Sequence, residues 1–494
     1  MPQGDADAGE ASGGDAGETA AATGGASAGA GAGVAGGLAG GDAEAEGGAA
    51  GEAPSAFSDG FRSGSRLRAI LESAGSVQRF VGWHDTQLGI DCQFALDAEG
   101  TERCLPQDGF GGTAYSDANC KNRAALIPTK LGKPAYALDS AYQFVCGKGP
   151  QVLAVGKALA ITQTYSEQNG QCLPDSFTVP ADQSVYALSA AVPPSAFVAA
   201  SEIVREARDA RLSANVRVAS DGSRETVSFF DRQRNAECNL REHQGADFGC
   251  VPEARAYENF YFSDAKCSAQ VAYHPGYAQQ VCGRIPTIVE HTAPFFTDTY
   301  FEVGAAVTTG VFSNFGEGCM PYTPNVTLGY SYYALGKAVA WEAFAQASSA
   351  NEGVGRLKQN TLRNAGGLVL SRLEFYDSTL ETRCRATLAA DLDTRCLPTD
   401  TVSTNQFADA ECKQPLFEVP TGGAAPKASD FIEAYLPTGG LGIFKLGPLL
   451  SAQVSPHQTN GPDCVATTLP QNYDVYTTVT VPASDMVQVT RSVE

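Results

Sequence analysis

Basic residues are scarce in this 494-residue sequence, which has 34 Lys and Arg against 55 Asp and Glu and a formal net charge of −21. A chain this acidic lacks the basic surface that nucleic acids and anionic lipid headgroups require, so neither is expected as a partner. Long apolar runs are absent as well. No stretch approaches the roughly 18–20 apolar residues of a transmembrane helix, so no membrane-spanning segment is expected.

Catalytic motifs are also missing. The sequence contains no Gly-x-Ser-x-Gly, no His-Glu-x-x-His, no phosphate-binding loop and no dinucleotide-binding glycine motif. It has no Cys-x-x-Cys, and its five histidines do not follow the spacing of the cysteines, which argues against zinc. We therefore predict no catalytic residue, no cofactor site and no metal ligand, with Ca²⁺ on repeated aspartates as the one ion left open.

Residues 1–56 consist mostly of Gly, Ala, Asp and Glu, and the first basic residue is Arg62. Such a segment has too little apolar surface to offset the entropy lost on ordering, which predicts a flexible tether. Two interpretations remain open. Either the protein is cytoplasmic with an unusual tail, or an export signal or lipid anchor precedes Met1 in a surface protein. The cysteines favour the second.

The cysteines follow a threefold repeat of 146 residues, which separates Cys92 from Cys238 and Cys238 from Cys384. The same period relates Cys104, Cys250 and Cys396. A second spacing, of 52 residues, recurs once per copy in Cys120 and Cys172, Cys267 and Cys319, and Cys412 and Cys464. These spacings divide the chain into a tether, 1–56, and three copies, 57–202, 203–348 and 349–494.

Each copy contains two related units, because a Cys-Leu-Pro or similar triplet occurs twice in it. The first units have Cys104-Leu105-Pro106 and its counterparts, and the second units have Cys172-Leu173-Pro174 and its counterparts. Short β-branched and aromatic runs between Gly, Asp and Pro turns predict strands, and 199–212 is the one segment with a helical composition. The prediction is an all-β protein of six units, most simply a six-bladed β-propeller, with three tandem β-sandwich or barrel-like domains as the alternative.

The regular spacing of the cysteines predicts disulfides. Six pairs follow from it: Cys92–Cys104, Cys120–Cys172, Cys238–Cys250, Cys267–Cys319, Cys384–Cys396 and Cys412–Cys464. Cys146 and Cys282 have no counterpart in the third copy and are either bonded to each other or free. Because disulfides persist in oxidising compartments, the protein is expected to be exported, extracellular or on the cell surface.

Three further sets of residues recur once per copy. The first set is Asp85, Asp231 and Asp377, which either bind Ca²⁺ or accept backbone amides at a hairpin turn. The second set is Asp117, Asp264 and Asp409, each three residues before a cysteine, where they are expected to cap a tight turn. The third set is Arg66, Arg211 and Arg356, which either pair with one of the aspartate sets or are solvated.

Residues outside the repeat are where a specific function is expected. Trp83-His84-Asp85 places the only histidine beside a repeated aspartate, and His291 follows Glu290. The densest aromatic stretch spans 295–301. It is interpreted either as a contact for a sugar or protein partner or as a buried strand.

The order aromatic-Asp, Cys, Cys-Leu-Pro, aromatic-x-Asp-Ala-x-Cys resembles uncharacterised cysteine-bearing repeat families of exported bacterial proteins and lipoproteins with Gly/Ala-rich leaders. The resemblance covers about 66–494. It implies export and a β-rich repeat body, and it transfers no activity. The third copy departs from the pattern, since its second unit has Cys464-Val465-Ala466.

Three functions remain open. The first, favoured by the repeat, the tether and the missing catalytic motifs, is a surface-tethered binding module for a protein or a glycan. The second is a hydrolase with its active site in a propeller mouth. The third is a purely structural surface protein.

Overall fold

The computed structural model describes residues 60–494 apart from internal gaps, and the statements below concern the described residues. The gaps are 108–109, 112–113, 130–131, 140–146, 169, 181–182, 245–246, 254, 276–284, 292–298, 315–317, 324–329, 367–368, 422–430, 438–439, 451–455, 461–462 and 469–472. The predicted tether, Cys146 and Cys282 lie outside the described residues.

The all-β prediction is confirmed, since strands account for nearly all regular structure. The first copy contains β1 (Phe61–Arg62), β2 (Leu67–Ala74), β3 (Val77–Asp85), β4 (Ile90–Leu96), β5 (Glu102–Pro106), β6 (Phe110–Gly111), β7 (Ala114–Tyr115), β8 (Arg123–Pro128), β9 (Tyr136–Asp139), β10 (Gln151–Leu159), β11 (Gln163–Gln168), β12 (Gln171–Thr178) and β13 (Gln183–Ala191).

The second copy contains β14 (Ala200–Ala207), β15 (Leu212–Ala219), β16 (Arg224–Asp231), β17 (Ala236–Gln244), β18 (Asp247–Pro252), β19 (Arg255–Phe262), β20 (Gln270–Pro275), β21 (Ile288–His291), β22 (Thr299–Ala306), β23 (Phe312–Ser313), β24 (Met320–Pro321) and β25 (Tyr330–Val339). Short 3₁₀ helices occupy Pro194–Ala196, Trp341–Ala343 and Ala483–Asp485.

The third copy contains β26 (Ala345–Glu352), β27 (Leu357–Asn364), β28 (Val369–Asp377), β29 (Thr382–Leu388), β30 (Thr394–Pro398), β31 (Thr401–Ser403), β32 (Gln406–Phe407), β33 (Pro415–Pro420), β34 (Phe431–Tyr435), β35 (Leu441–Leu449), β36 (His457–Asn460), β37 (Asp463–Ala466), β38 (Tyr473–Val481) and β39 (Thr490–Val493).

The first half of each copy forms a five-stranded antiparallel meander. The strand orders are β39-β2-β3-β4-β5, β14-β15-β16-β17-β18 and β26-β27-β28-β29-β30. The hairpin of β15 and β16 turns at 220–223, where Gly222 adopts a φ of 87° that favours glycine. The first strand in each of these orders, β39, β14 or β26, comes directly after the barrel of the preceding copy in the sequence. Each meander therefore contains strands from two copies.

The three meanders join in a cycle. β18 pairs with β26, with Cys250 opposite Ala345. At the equivalent junctions the amide of Cys104 donates to the carbonyl of Val198 at 2.9 Å, and the amide of Cys396 donates to the carbonyl of Val487 at 2.8 Å. β39 then pairs with β2 and links the third copy to the first.

The second half of each copy forms a small barrel. In the second copy β19 pairs with both β20 and β21, so β19-β20-β25-β22-β21 is a closed five-stranded barrel. Two short strands replace β19 in the other copies, namely β6 with β7 and β31 with β32. A hairpin is attached beside each barrel: β11–β12, β23–β24 and β36–β37.

A repeated glycine allows the barrel strands to approach closely. It is Gly156, Gly304 or Gly447, on β10, β22 or β35. A Cβ atom on Gly304 would lie 2.6 Å from the carbonyl oxygen of Ala334 on the adjacent strand. The position adjoins an irregular register between β22 and β25. Glycine there lets the strand bend around the barrel.

The structure does not show the six-bladed propeller. The two kinds of unit form two kinds of sheet, a shared meander and a separate barrel, so six equivalent blades do not arise. The helical composition of 199–212 was also misleading. Ala200–Ala207 is the strand β14, because pairing with β15 along its whole length overrides the local preference for a helix.

Apolar cores lie where copies meet. One cluster combines Leu67, Trp83 and Phe94 of the first copy with Val198 and Ala219 from the junction with the second. The clusters at the other two junctions are built in the same way. Each contains the buried cysteine pair with the 12-residue spacing, so the meanders are cross-linked inside their cores.

Candidate binding site in the first barrel

The structure forms all six cysteine pairs that the spacing predicts. Their Cα–Cα distances lie between 5.1 and 5.7 Å, in the range that a disulfide needs. The 12-residue bridges join β4 to β5 and their counterparts inside the meanders. The 52-residue bridges join the turn after β7, β19 or β32 to the hairpin of the same barrel. In a chain-entropy account they contribute about 3 and about 4 kcal/mol each.

The repeated arginines pair with the first aspartate set. Arg66 donates from Nε and Nη2 to the two carboxylate oxygens of Asp85 at 2.8 and 2.7 Å, and the second and third copies have the same fork. Asp85, Asp231 and Asp377 are fully buried. One oxygen of Asp85 also accepts the amides of Gln87 and Leu88. The hairpin-turn interpretation therefore describes these aspartates.

The same guanidinium groups hold the barrels to the meanders. Nη2 of Arg66, Arg211 and Arg356 donates to the carbonyls of Ala196, Ala343 and Asp485, at 2.6, 2.7 and 2.5 Å. Each carbonyl belongs to the 3₁₀ helix that follows a barrel. Each partly buried Arg–Asp pair therefore connects the meander and the barrel of one copy.

The second aspartate set caps the turn before a bridged cysteine. The carboxylate of Asp264 accepts the amides of Lys266, Ser268 and Ala269. Cys267 has a φ of 50°, and its counterparts in the other copies have the same value. A left-handed backbone conformation costs free energy at a cysteine, and the hydrogen bonds of the capped turn offset this cost. The turn therefore directs the sulfur towards the hairpin.

These amide bonds lower the pKa of all three capping carboxyls. Backbone hydrogen bonds are the main cause at Asp117 and Asp264. At Asp409 burial acts in the opposite direction, but the amides of Gln414 and its neighbours outweigh it. A carboxyl with a folded-state pKa below its unfolded value stabilises the fold above the unfolded pKa. That stability disappears as the pH falls through the folded-state pKa.

We expect the triple variant Asp117→Asn, Asp264→Asn, Asp409→Asn to be less stable than wild type at about pH 5, and the difference to shrink as the pH falls. Once the pH passes below the lowered folded-state pKa, the wild-type carboxyls are protonated and no longer hold the turns as anions. Thermal midpoints measured over a series of falling pH values under non-oxidising, non-reducing conditions test the expectation. A difference that does not change with pH would contradict it.

The other residues singled out in the sequence do not meet in one place. Trp83 is buried and donates from Nε1 to Glu225 at 2.9 Å, whereas Nδ1 of His84 lies 2.8 Å from Asp91. Glu290 is buried against Arg255 between the second meander and its barrel, and His291 follows it on β21. These histidines and carboxylates form no common site.

Most of the aromatic stretch 295–301 lies outside the described residues. Its last three residues begin β22, where Tyr300 is buried against Trp341 and Phe344. Phe301 packs in the core of the second barrel. For these residues the buried-strand interpretation applies.

The pairing registers align the interiors of the barrels residue by residue. Three central positions in the third barrel are occupied by the large side chains of Phe417, Ile432 and Phe444, which pack in one cluster. The equivalent residues of the first barrel are Ala125, Ala137 and Leu153. At these three positions the side chains of the first barrel are therefore smaller than those of the third.

A cavity of about 610 Å³ lies at one end of the first barrel, and of the three positions compared above only Leu153 lines it. Its wall includes Leu153, Gln151 and Arg123, and Ser116 and Asn122 line its rim. The guanidinium of Arg123 pairs inside the barrel with the buried carboxylate of Asp139. Pro415 and Ala434 occupy these two positions in the third barrel, so the ion pair of the first barrel has no counterpart there.

Sequence reasoning missed this mouth, although the repeat itself contained the signal. Aligning the copies by their cysteines sets Ala125 beside Phe417 and Arg123 beside Pro415. A core position that differs in size or polarity between copies indicates that the copies are packed differently at that point. Only the registers show that these positions face the inside of a barrel.

A family model described as a family of unknown function, DUF7481, matches residues 61–483. The protein is a member of the DUF7481 family. The match extends from the first meander to the last barrel, and it agrees with the expectation of an uncharacterised family. No curated protein and no solved structure matches the chain. Among the described residues, no helix has the length and apolar character needed to cross a membrane.

This DUF7481 member has a second feature confined to one copy, a tyrosine cluster beside the second barrel. The cluster lies under the hairpin of β23 and β24 and contains Tyr257, Tyr261, Tyr273, Tyr322, Tyr330 and Tyr332. Contacting rings in it have centroids 4.9–6.0 Å apart. Burial and hydrogen bonding to Tyr322 raise the pKa of Tyr261, and burial raises the pKa of Tyr332.

Proposed function

We propose that this protein is an exported, disulfide-stabilised binding protein whose ligand enters the mouth of the first barrel. Six disulfides fit an oxidising environment, and the acidic leader fits a surface tether. The observation that carries the proposal is the cavity of about 610 Å³ at the end of the first barrel, against a cavity of about 120 Å³ beside the third. Ligand sites favour the mouths of β-barrels and occupy about 300–1,000 Å³.

The chemistry of the mouth suits a carbohydrate without charge. Amide and hydroxyl groups of Ser116, Asn122, Gln151 and Ser189 line it, and they both donate and accept hydrogen bonds as sugar hydroxyls do. Leu153 offers an apolar wall for the C–H face of a sugar ring. The charge of Arg123 is balanced by Asp139, and the protein as a whole is strongly acidic, which disfavours a polyanion.

The test is a variant that fills the mouth with larger side chains. Leu153→Phe with Ala191→Phe enlarges two residues that line the cavity and are cross-strand partners on β10 and β13. We expect the full-length wild-type protein to bind members of a neutral glycan array. The double variant should bind the same glycans at least tenfold more weakly, a loss of about 1.4 kcal/mol.

Stability separates a blocked mouth from a misfolded barrel. Enlarging side chains that face an open cavity lowers stability little when the new side chains fit, so the thermal midpoint of the double variant should be close to that of wild type. Lys413→Ala is the matched control for Lys121→Ala. Both lysines follow a bridged cysteine, but only Lys121 lines the mouth of the first barrel. Only Lys121→Ala should alter glycan binding.

Two results would overturn the proposal. If a folded double variant binds the array as wild type does, the mouth is not the site. If wild type binds no neutral glycan at concentrations up to the millimolar range, the carbohydrate class is wrong.

A further inference from the structure

Six tyrosines in contact are an unusual use of one barrel surface, because neither of the other copies has them. Three central members are Tyr261, Tyr273 and Tyr322. Leu126 and Asp175 replace the last two of these in the first copy, and Glu418 and Thr467 replace them in the third. The other two copies pack their barrels without tyrosines at these positions. Packing alone therefore does not explain the phenol rings, which points to a chemical role.

Among the described rings of the cluster, a close contact joins two different elements. The ring centroids of Tyr261, on β19, and Tyr322, just after β24, are 4.9 Å apart with the ring planes inclined by 51°. Both rings are half-buried. The bridge between Cys267 and Cys319 ties the same two elements together nearby, since Cys267 follows β19 and Cys319 precedes β24. The two rings are therefore held in place by a covalent clamp.

We propose that Tyr261 and Tyr322 are an oxidative modification site, at which a haem peroxidase with hydrogen peroxide couples the two rings into an intramolecular dityrosine. The oxidant removes one electron and one proton from each phenol. The two ring radicals then join through the carbons next to the hydroxyl-bearing carbons. Each of these carbons loses its hydrogen as a proton while the phenol oxygen regains one, and hydrogen peroxide is reduced to two molecules of water.

The surrounding rings assist this step. Tyr261 contacts Tyr273 and Tyr332 at centroid distances of 5.7 and 5.4 Å, and Tyr273 in turn contacts Tyr330 at 5.9 Å. A radical formed on one of the half-buried rings can pass through this chain by electron and proton exchange. The close pair, with ring centroids 4.9 Å apart, is where two such radicals are near enough to couple. The product would be a carbon–carbon bridge parallel to the disulfide and resistant to reduction.

The experiment treats the full-length protein with a haem peroxidase and hydrogen peroxide and then isolates the monomer by gel filtration. We expect dityrosine fluorescence in the monomer and a mass lower by two hydrogen atoms. After reduction and tryptic digestion, the peptides that contain Tyr261 and Tyr322 should remain joined. Tyr322→Phe should abolish this product, whereas Tyr435→Phe, an exposed tyrosine in the third barrel, should leave it unchanged.

A second measurement addresses the role of the bridge. Under reducing conditions the peroxidase-treated wild type should melt at a higher temperature than the untreated protein, because the carbon–carbon bond still holds the hairpin. Dityrosine found only between molecules, or found equally in the monomer of Tyr322→Phe, would overturn the proposal. Oxidation that gives only hydroxylated tyrosines would overturn it too. None of these results bears on the glycan site.

Discussion

Replacing Asp231 by alanine should cost about 3–5 kcal/mol of the free energy of unfolding, the range measured when one partner of a buried ion pair is removed. Asp231 is fully buried and accepts the fork of Arg211 at 2.7–3.0 Å. It also accepts the amides of Gln233 and Arg234. The variant leaves a partly buried guanidinium without its counterion and two turn amides without an acceptor.

Urea denaturation of the oxidised protein measures this loss, and Asp400→Ala is its control. Asp400 also pairs with an arginine, Arg383, at 2.8 Å, but more than half of its side chain is exposed. An exposed pair contributes about 0–1 kcal/mol, so the control should change little. If both variants lose the same free energy of unfolding, burial does not determine how much the repeated ion pair contributes to stability.

The double variant Arg211→Met, Asp231→Leu distinguishes the effect of removing the whole ion pair from the effect of leaving one charge without its partner. An apolar pair of similar volume removes both charges together, so it should be more stable than Asp231→Ala alone. The carbonyl of Ala343 would lose its shorter hydrogen bond and keep only the one from Nε of Arg234 at 3.3 Å, so some destabilisation should remain. A double variant less stable than Asp231→Ala would show that Arg211 acts mainly through the 3₁₀ helix.

The repeat arithmetic predicted the covalent framework because bridged cysteines report contacts directly. Two cysteines that keep the same separation in three copies are expected to bond in each copy, and Cys92 and Cys104 do so. The same reasoning left the partner of Arg66 open. Asp85 and Asp117 are equally regular in sequence, and only the hairpin geometry of β2 and β3 brings Asp85 to the guanidinium.

Topology was beyond the sequence pattern for a physical reason. A strand pattern predicts which residues alternate between the two faces of a sheet, but it does not predict which neighbouring strand the segment pairs with. β14 pairs with the meander of the next copy rather than with the barrel that precedes it. Six similar units therefore suggested six blades, whereas the shared strands produce three meanders in a cycle and three barrels.

Shortening the chain to residue 489 should open this cycle. Residues 490–493 form β39, which pairs with β2 through Ile70–Val493, Leu71–Ser492, Glu72–Arg491 and Ser73–Thr490. Backbone hydrogen bonds contribute about 1 kcal/mol each, so the loss should be on the order of 3 kcal/mol. An unpaired edge of β2 also invites pairing between molecules. We expect a lower thermal midpoint, dimers or larger species in light scattering, and faster amide exchange across Leu67–Ala74.

The control keeps the backbone and removes the side chains. All four residues of β39 are exposed, so changing each of them to alanine should preserve the pairing and the monomer. Ser492→Pro has the opposite design, because proline removes one ladder donor while the rest of the chain is kept. It should reproduce part of the effect of the shortened chain. If the alanine variant is as unstable as the shortened one, side-chain contacts such as that between Arg491 and Asp91 close the cycle, and backbone pairing is secondary.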